Sequence, residues 1–188
     1  MGFRNTKDGW GWPARLLHWV VGVVIIIAFG IGFYTAEILD DVYARLGWVQ
    51  THKSWGFLAG VLIAVRLLWR AFNRAPDMPD SMSATEKRLA HLGHIGLYAA
   101  IVGLPLTGWL MVTSSPLQEL AGIKNMVFGL FEMPDFLAGN AELSNVFHWM
   151  HWVCGVALVV LLAGHVGAAL KHHFINKDNV LRRMIIGR

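Results

Sequence analysis

Nine histidines stand against a single cysteine, Cys154. One thiol cannot build an internal disulfide, a thiolate zinc site, an iron–sulfur cluster or a CxxCH attachment for c-type haem. Metal chemistry in this chain therefore falls to imidazole. His151 and His165 are 14 residues apart. On a helix that spacing puts them on nearly one face, about 21 Å apart along the axis. The stripe between them runs through Gly155, Leu158 and Leu162, apolar with a small residue beside the first imidazole. His18 and His52 each sit near one end of another apolar run. His18 is followed four residues on by Gly22, His52 by Gly56 and His151 by Gly155, a spacing that the other six histidines lack. A glycine one turn from a ligand removes the side chain that would strike a flat ring lying against the helix.

Such residues need rigid elements to hold them, and the composition says what kind. Apolar residues make up 55% of the 188 and charged residues 15%, well below the share of an ordinary soluble domain. Mean hydropathy is +0.49. The chain is too apolar for a water-soluble coat and too rich in large side chains to be disordered. Charge-free stretches mark the spans, because charge at mid-bilayer is costly. Leu16 to Ala36 is 21 residues without charge; 30 such residues lie between Arg88 and Glu119, and 28 between Glu142 and Lys171. Each covers the roughly 20 residues that a crossing helix needs. A fourth stretch, Ser54 to Val65, is shorter, but Arg66 and Arg70 lie one turn apart and can snorkel. The predicted spans are about 16–36, 52–72, 89–112 and 146–170, in one domain over 1–188. The first span reads as a membrane helix and not as a cleaved leader. The fold class is an all-α membrane protein, a four transmembrane helix bundle. Ser83 with Glu86 three residues on predicts a capping box at the third helix, and Pro105 a kink within it.

All of the 16 Lys and Arg except Arg45, Lys53 and Lys124 fall in the N-terminal tail, the loop between spans two and three, and the C-terminal tail. Basic loops stay inside, so both termini are expected in the cytoplasm. The basic balance then reflects topology in a lipid bilayer and not a nucleic-acid partner. The aromatic-rich segment from Gly122 to Asn140 falls outside, as a partial lid on the membrane surface. Depth now sorts the four histidines: His18 with His165 near the inner ends, His52 with His151 near the outer ends. Two imidazoles from two helices suit an iron porphyrin with both axial positions filled. Zinc fits poorly, since it takes three or four protein ligands. Two b haems are the preferred reading. Four interfacial histidines, or a copper or other bis-imidazole site, are the alternatives.

His91 and His94 open the third helix, and His172 and His173 close the fourth, all on the inner side. They anchor the interface or serve a quinone or proton-transfer site beside the inner haem. His172 follows His165 by seven residues, on nearly the same face and about 10 Å nearer the cytoplasm. His148, beside Trp149, reads as part of the outer interfacial belt, with haem propionate contact as the alternative. Cys154 reads as packing.

From about Trp12 to Arg183 the chain resembles the bacterial cytochrome b561 family of four-helix dihaem membrane cytochromes. The strings that carry the likeness are RLLHW (15–19), THKSWG (51–56), VRLLWR (65–70), AHLGHIGLY (90–98) and AALKHHFINKDNVLRRM (168–184), with the spacing of His151 and His165. The resemblance implies axial iron ligands at His18, His52, His151 and His165. It also implies residence in the bacterial cytoplasmic membrane, and, from a superoxide oxidase of the family that passes electrons to ubiquinone, a quinone contact at His172. The outer loops, which are acidic, and the extra His148 depart from the family.

Two functions follow as expectations. One is an enzyme, in which superoxide gives its electron at the outer face and ubiquinone is reduced near the inner one. The other is a cytochrome b carrier or anchor subunit joining the quinone pool to a protein redox partner. The acidic outer side would repel superoxide at long range, and Arg45 and Lys53 offer local positive charge near His52.

Overall fold

The computed structural model of the protein describes residues 2–116, 120 and 122–187. Glu119, which closes the third uncharged stretch, and Arg188, in the basic tail, lie outside them. Four long helices carry the chain: α1 (Trp12–Phe33), α2 (Val42–Phe72), α3 (Ala84–Thr113) and α4 (Ala141–Phe174). A single π turn, Tyr34–Ile38, continues α1. Between α3 and α4, β1 (Met126–Val127) pairs antiparallel with β2 (Phe131–Glu132). A short α5 (Val180–Ile186) follows α4.

Each long helix has a window long and apolar enough to cross a membrane. In hydrocarbon no water is present to satisfy backbone amides, so the chain closes its hydrogen bonds within each helix. Large apolar side chains stay on the surface: Ile26 is 61% exposed and Val160 66%. This is a coat for lipid and not for water.

The helices overrun the stretches read from charge alone. Absence of charge measures the hydrocarbon, whereas a helix continues through the headgroups wherever its end is capped. The second helix starts ten residues before His52. There the Asp41 carboxylate accepts the Ala44 N–H at 2.8 Å, the contact that an N-cap makes. Asn140 caps α4 in the same way through the Leu143 N–H at 3.0 Å. The capping box at α3 forms as the sequence predicts. Ser83 N–H donates to Glu86 at 2.9 Å, and Glu86 N–H returns to the Ser83 hydroxyl at 3.2 Å.

The helices divide between two compact units, and each of the four contributes a segment to both. The terminal unit comprises Met1–Val21, Leu62–Ala100 and Ala157–Arg188. Its knot is Arg183, 8% exposed, whose guanidinium donates to the carbonyls of Lys7, Asp8 and Asp77. Arg15 donates to Ile185 O at 2.8 Å and the Trp19 indole to Met184 O at 3.2 Å. Five donors thus tie the N-terminal tail, the α2–α3 loop and α5 together. Gly187 ends α5 at φ +88°, where a side chain would also crowd Trp10 O and Arg15.

The hairpin unit comprises Gly22–Val61 and Ile101–Val156. Its β-hairpin is fastened to α2. Phe128 N–H donates to the Ser54 hydroxyl at 2.9 Å. Lys53 Nζ donates to Asn125 at 2.8 Å, and Asn125, 1% exposed, donates on to Asp135. The Trp109 indole holds Pro134 O at 3.0 Å. Gly60 lets Pro105 approach α2, since a Cβ there would lie 3.2 Å from the proline ring.

Candidate functional site

Each unit holds a pair of histidine rings, one from each of two helices. In the hairpin unit His52 of α2 and His151 of α4 have ring centres 6.0 Å apart with planes at 90°. His52 Nδ1 lies 2.9 Å from Ala28 O, and His151 Nδ1 lies 3.0 Å from Leu104 O. A carbonyl only accepts, so each Nδ1 carries the proton and each Nε2 is left bare. That is the tautomer that a metal-bound imidazole needs. Thr107 Oγ1 is a second, longer acceptor for His151, at 3.2 Å.

A shared device seats both rings. Four residues beyond each accepting carbonyl stands a glycine: Gly32 after Ala28, Gly108 after Leu104. A Cβ at Gly32 would lie 2.8 Å from His52 Cε1, and one at Gly108 would lie 3.1 Å from His151 Cε1. A side chain at Gly32 would force the His52 ring to shift, and one at Gly108 would press the His151 ring aside by a few tenths of an ångström. The +4 spacing finds neither glycine, because it runs along the histidines' own helices. The signal lay on α1 and α3, and spacing does not say which helix faces which.

In the terminal unit His18 of α1 and His165 of α4 have ring centres 6.1 Å apart with planes at 58°. His94 of α3 adds a third ring, 5.6 Å from that of His165. Arg66 comes within 3.0 Å of His18 Nδ1. A guanidinium only donates, so here Nδ1 accepts and the proton of a neutral ring stands on Nε2. Arg66 also donates to the Tyr98 hydroxyl at 3.3 Å, and Arg66 and Arg70 lie over the Tyr98 ring at 5.7 and 5.4 Å.

An iron between two imidazoles, at about 2 Å from each nitrogen, separates the ring centres by roughly 6 Å. Both pairs have that spacing. A porphyrin also needs flat space beside the helices. Among the described glycines where a Cβ would meet nothing within 4 Å, only Gly22, Gly56, Gly93 and Gly155 are half-buried; the others are exposed. Half-buried emptiness is a cradle that a side chain would fill. Gly93, next to His94, is the member that the +4 spacing could not find. A group of three or more His, Cys, Asp or Glu that could hold a metal ion is absent among the described residues.

The remaining histidines separate. His172 is buried, 6% exposed, with Nδ1 2.5 Å from Asp178 Oδ2. His173, His91 and His148 are exposed, and the His148 ring rests 5.9 Å from Trp149. Cys154 packs against Gly103, where a Cβ would lie 2.9 Å from its sulfur. Lys53 is turned to the hairpin through Asn125, and Arg45 donates to Leu39 O at 3.1 and 2.5 Å. Outside the spans, Glu132 accepts from Lys124 at 2.8 Å and raises that ammonium above its ordinary range.

A family model described as prokaryotic cytochrome b561 matches residues 9–187. A relative named cytochrome b561 homolog 2, from Escherichia coli K12, is 31% identical over 191 positions, covering 98% of this chain and 95% of its own. Cytochrome b561 homolog 1 of the same organism is 28% identical, covering 90% of this chain and 92% of its own. A protein of Yersinia pestis named probable superoxide oxidase CybB is 28% identical, with 90% and 91% covered.

Proposed function

Because the chain belongs to the prokaryotic cytochrome b561 family, whose members carry electrons in membranes through b-type haem, we propose that it binds two haems and oxidises superoxide at the expense of ubiquinone. In this reading His18 and His165 hold one haem and His52 and His151 the other, with Gly22, Gly56 and Gly155 clearing space for the rings. The observation that carries it is the pair of ring spacings, 6.1 and 6.0 Å, each between two helices. Haem, when bound, supplies the one-electron redox centre. The chain supplies ligation, exclusion of water and the charges that set potential. Two superoxide ions give up two electrons and leave as two molecules of dioxygen. Ubiquinone takes the two electrons and two protons and leaves as quinol. The protein lies in the bacterial cytoplasmic membrane with both termini inside, and the quinone site is at His172, with His94 and His91 as the other candidates.

A pyridine haemochrome assay tests the cofactor reading and is expected to give about two b haems per chain, none covalent. A ratio near one with all four histidines intact would refute it. Stopped-flow mixing of superoxide with the protein, with and without quinone, tests the activity. Superoxide loss that accelerates with quinone supports it. Haem reduction by quinol with no response to superoxide would instead make the chain a carrier serving a protein partner.

A further inference from the structure

The turn after α4 folds back on the helix end and brings a carboxylate onto a buried ring. His172 Nδ1 lies 2.5 Å from Asp178 Oδ2, and the two side chains are 8% and 10% exposed. Lys177, at φ +53°, makes the reversal. Asp178 is itself fixed. Its Oδ1 accepts the Val180 N–H at 3.0 Å, and its own N–H donates to His172 O at 3.1 Å. Asn176 Nδ2 is 3.2 Å from the same Nδ1. An amide nitrogen donates and cannot receive the Nδ1 proton, so the carboxylate is its acceptor. Among the described residues both polar contacts of this ring fall on Nδ1, and with the proton donated to Asp178 the Asn176 amide nitrogen makes no hydrogen bond there. A neutral ring held in this way keeps Nε2 bare, and a bare nitrogen can only accept.

We propose that Asp178 is a positioning residue that makes His172 a hydrogen-bond acceptor, so that the site favours the hydroxyl of a quinol over the carbonyl of a quinone. This rests on the reading of His172 as the quinone site. A quinone offers only acceptor oxygens, whereas a quinol offers donors, so the tautomer decides which redox form is held. Holding the reduced form more tightly favours reduction of the bound quinone. A carboxylate also closes the helix end, and that plain role makes a different prediction. Asparagine can still accept from Val180 and donate to Nδ1, so it keeps the closure and reverses the tautomer.

The test is Asp178→Asn in the full-length haem-loaded protein in nanodiscs at pH 8. Binding of a short-chain ubiquinol and of the matching ubiquinone is measured, with ¹⁵N-histidine spectra reporting the tautomer. The ratio of quinol to quinone affinity should fall about tenfold, as expected when one hydrogen bond is exchanged for a mismatch. The His172 ¹⁵N signature should invert, and both haem spectra should stay unchanged. Asp178→Glu should keep the wild-type signature and ratio. An unchanged ratio in Asp178→Asn, with His172→Ala weakening both ligands, would overturn the inference and leave the site at His172 standing. Loss of haem or of thermal stability in Asp178→Asn but not in Asp178→Glu would also overturn it. Both ligands binding normally to His172→Ala would overturn the underlying site reading instead.

Discussion

The two units hold the same kind of histidine pair in different ways. In the hairpin unit both rings donate to backbone carbonyls over glycine seats. Each Nε2 is thereby left without a proton. In the terminal unit His18 accepts from Arg66, and His94 crowds His165. A metal there requires Arg66 to release Nδ1, and the cation then stays close to whatever binds. Backbone carbonyls are rigid and uncharged, so they fix geometry. A guanidinium on a long stem moves, and its charge acts on redox potential and on anionic groups such as propionates. The two pairs thus differ in what holds the rings: backbone carbonyls in one unit, a guanidinium and a third imidazole in the other.

The severest test of that division is removal of the ligands. His52→Ala or His151→Ala should each take haem content from about two to about one per chain, with loss of one spectral component. His18→Ala or His165→Ala should each remove the other component. If His18→Ala and His52→Ala removed the same one, the comparison would collapse.

Next in size is the seat. Gly32→Ala or Gly108→Ala should force a ring off its carbonyl, with an overpacking cost of about 1–3 kcal/mol. Haem occupancy of the hairpin unit should drop, measured by difference spectra, while the terminal unit's haem stays. Gly56→Leu and Gly155→Leu should harm the same haem by filling the cradle, and Gly93→Leu should harm the other. Loss of stability with both haems at full occupancy would reduce these glycines to helix contacts.

Arg66→Leu probes charge and should spare occupancy. Removing a cation favours the ferric state, so the midpoint potential of the terminal unit's haem should fall. The change should be on the order of tens of millivolts, because a half-exposed charge is screened. A potentiometric titration that moved both haems equally would erase the distinction between the units. Smallest of all is Thr107→Val. It deletes the longer of the two contacts to His151 Nδ1 and keeps Leu104 O. Both haems should remain, with at most a slight spectral shift; outright loss would mean that the hydroxyl and not the carbonyl seats the ring.

Much of the fold is legible along one chain. Helix spans follow from the absence of charge, and the Ser83–Glu86 box from residue type at fixed spacing. The pattern marks the ends short because it reports hydrocarbon and not hydrogen bonding, and it carries no sign that Asp41 starts α2. The aromatic segment after α3 gave no hint of its hairpin, whose two-residue strands depend on Ser54 and Asn125 for support.

For the site, sequence alone sorted His18 with His165 and His52 with His151, and put His151, His165 and His172 on one helix. Those are consequences of 3.6-residue periodicity and of where charge can sit in a bilayer. Tertiary structure alone decided that Ala28 and Leu104 offer the carbonyls, that Gly32 and Gly108 make room, that Arg66 reaches His18, and that Asp178 returns to His172. Each of these depends on the rotation of one helix about its axis relative to another, or on the left-handed backbone at Lys177. A residue's own spacing carries no record of its neighbour's rotation, so no one-dimensional pattern could have named them.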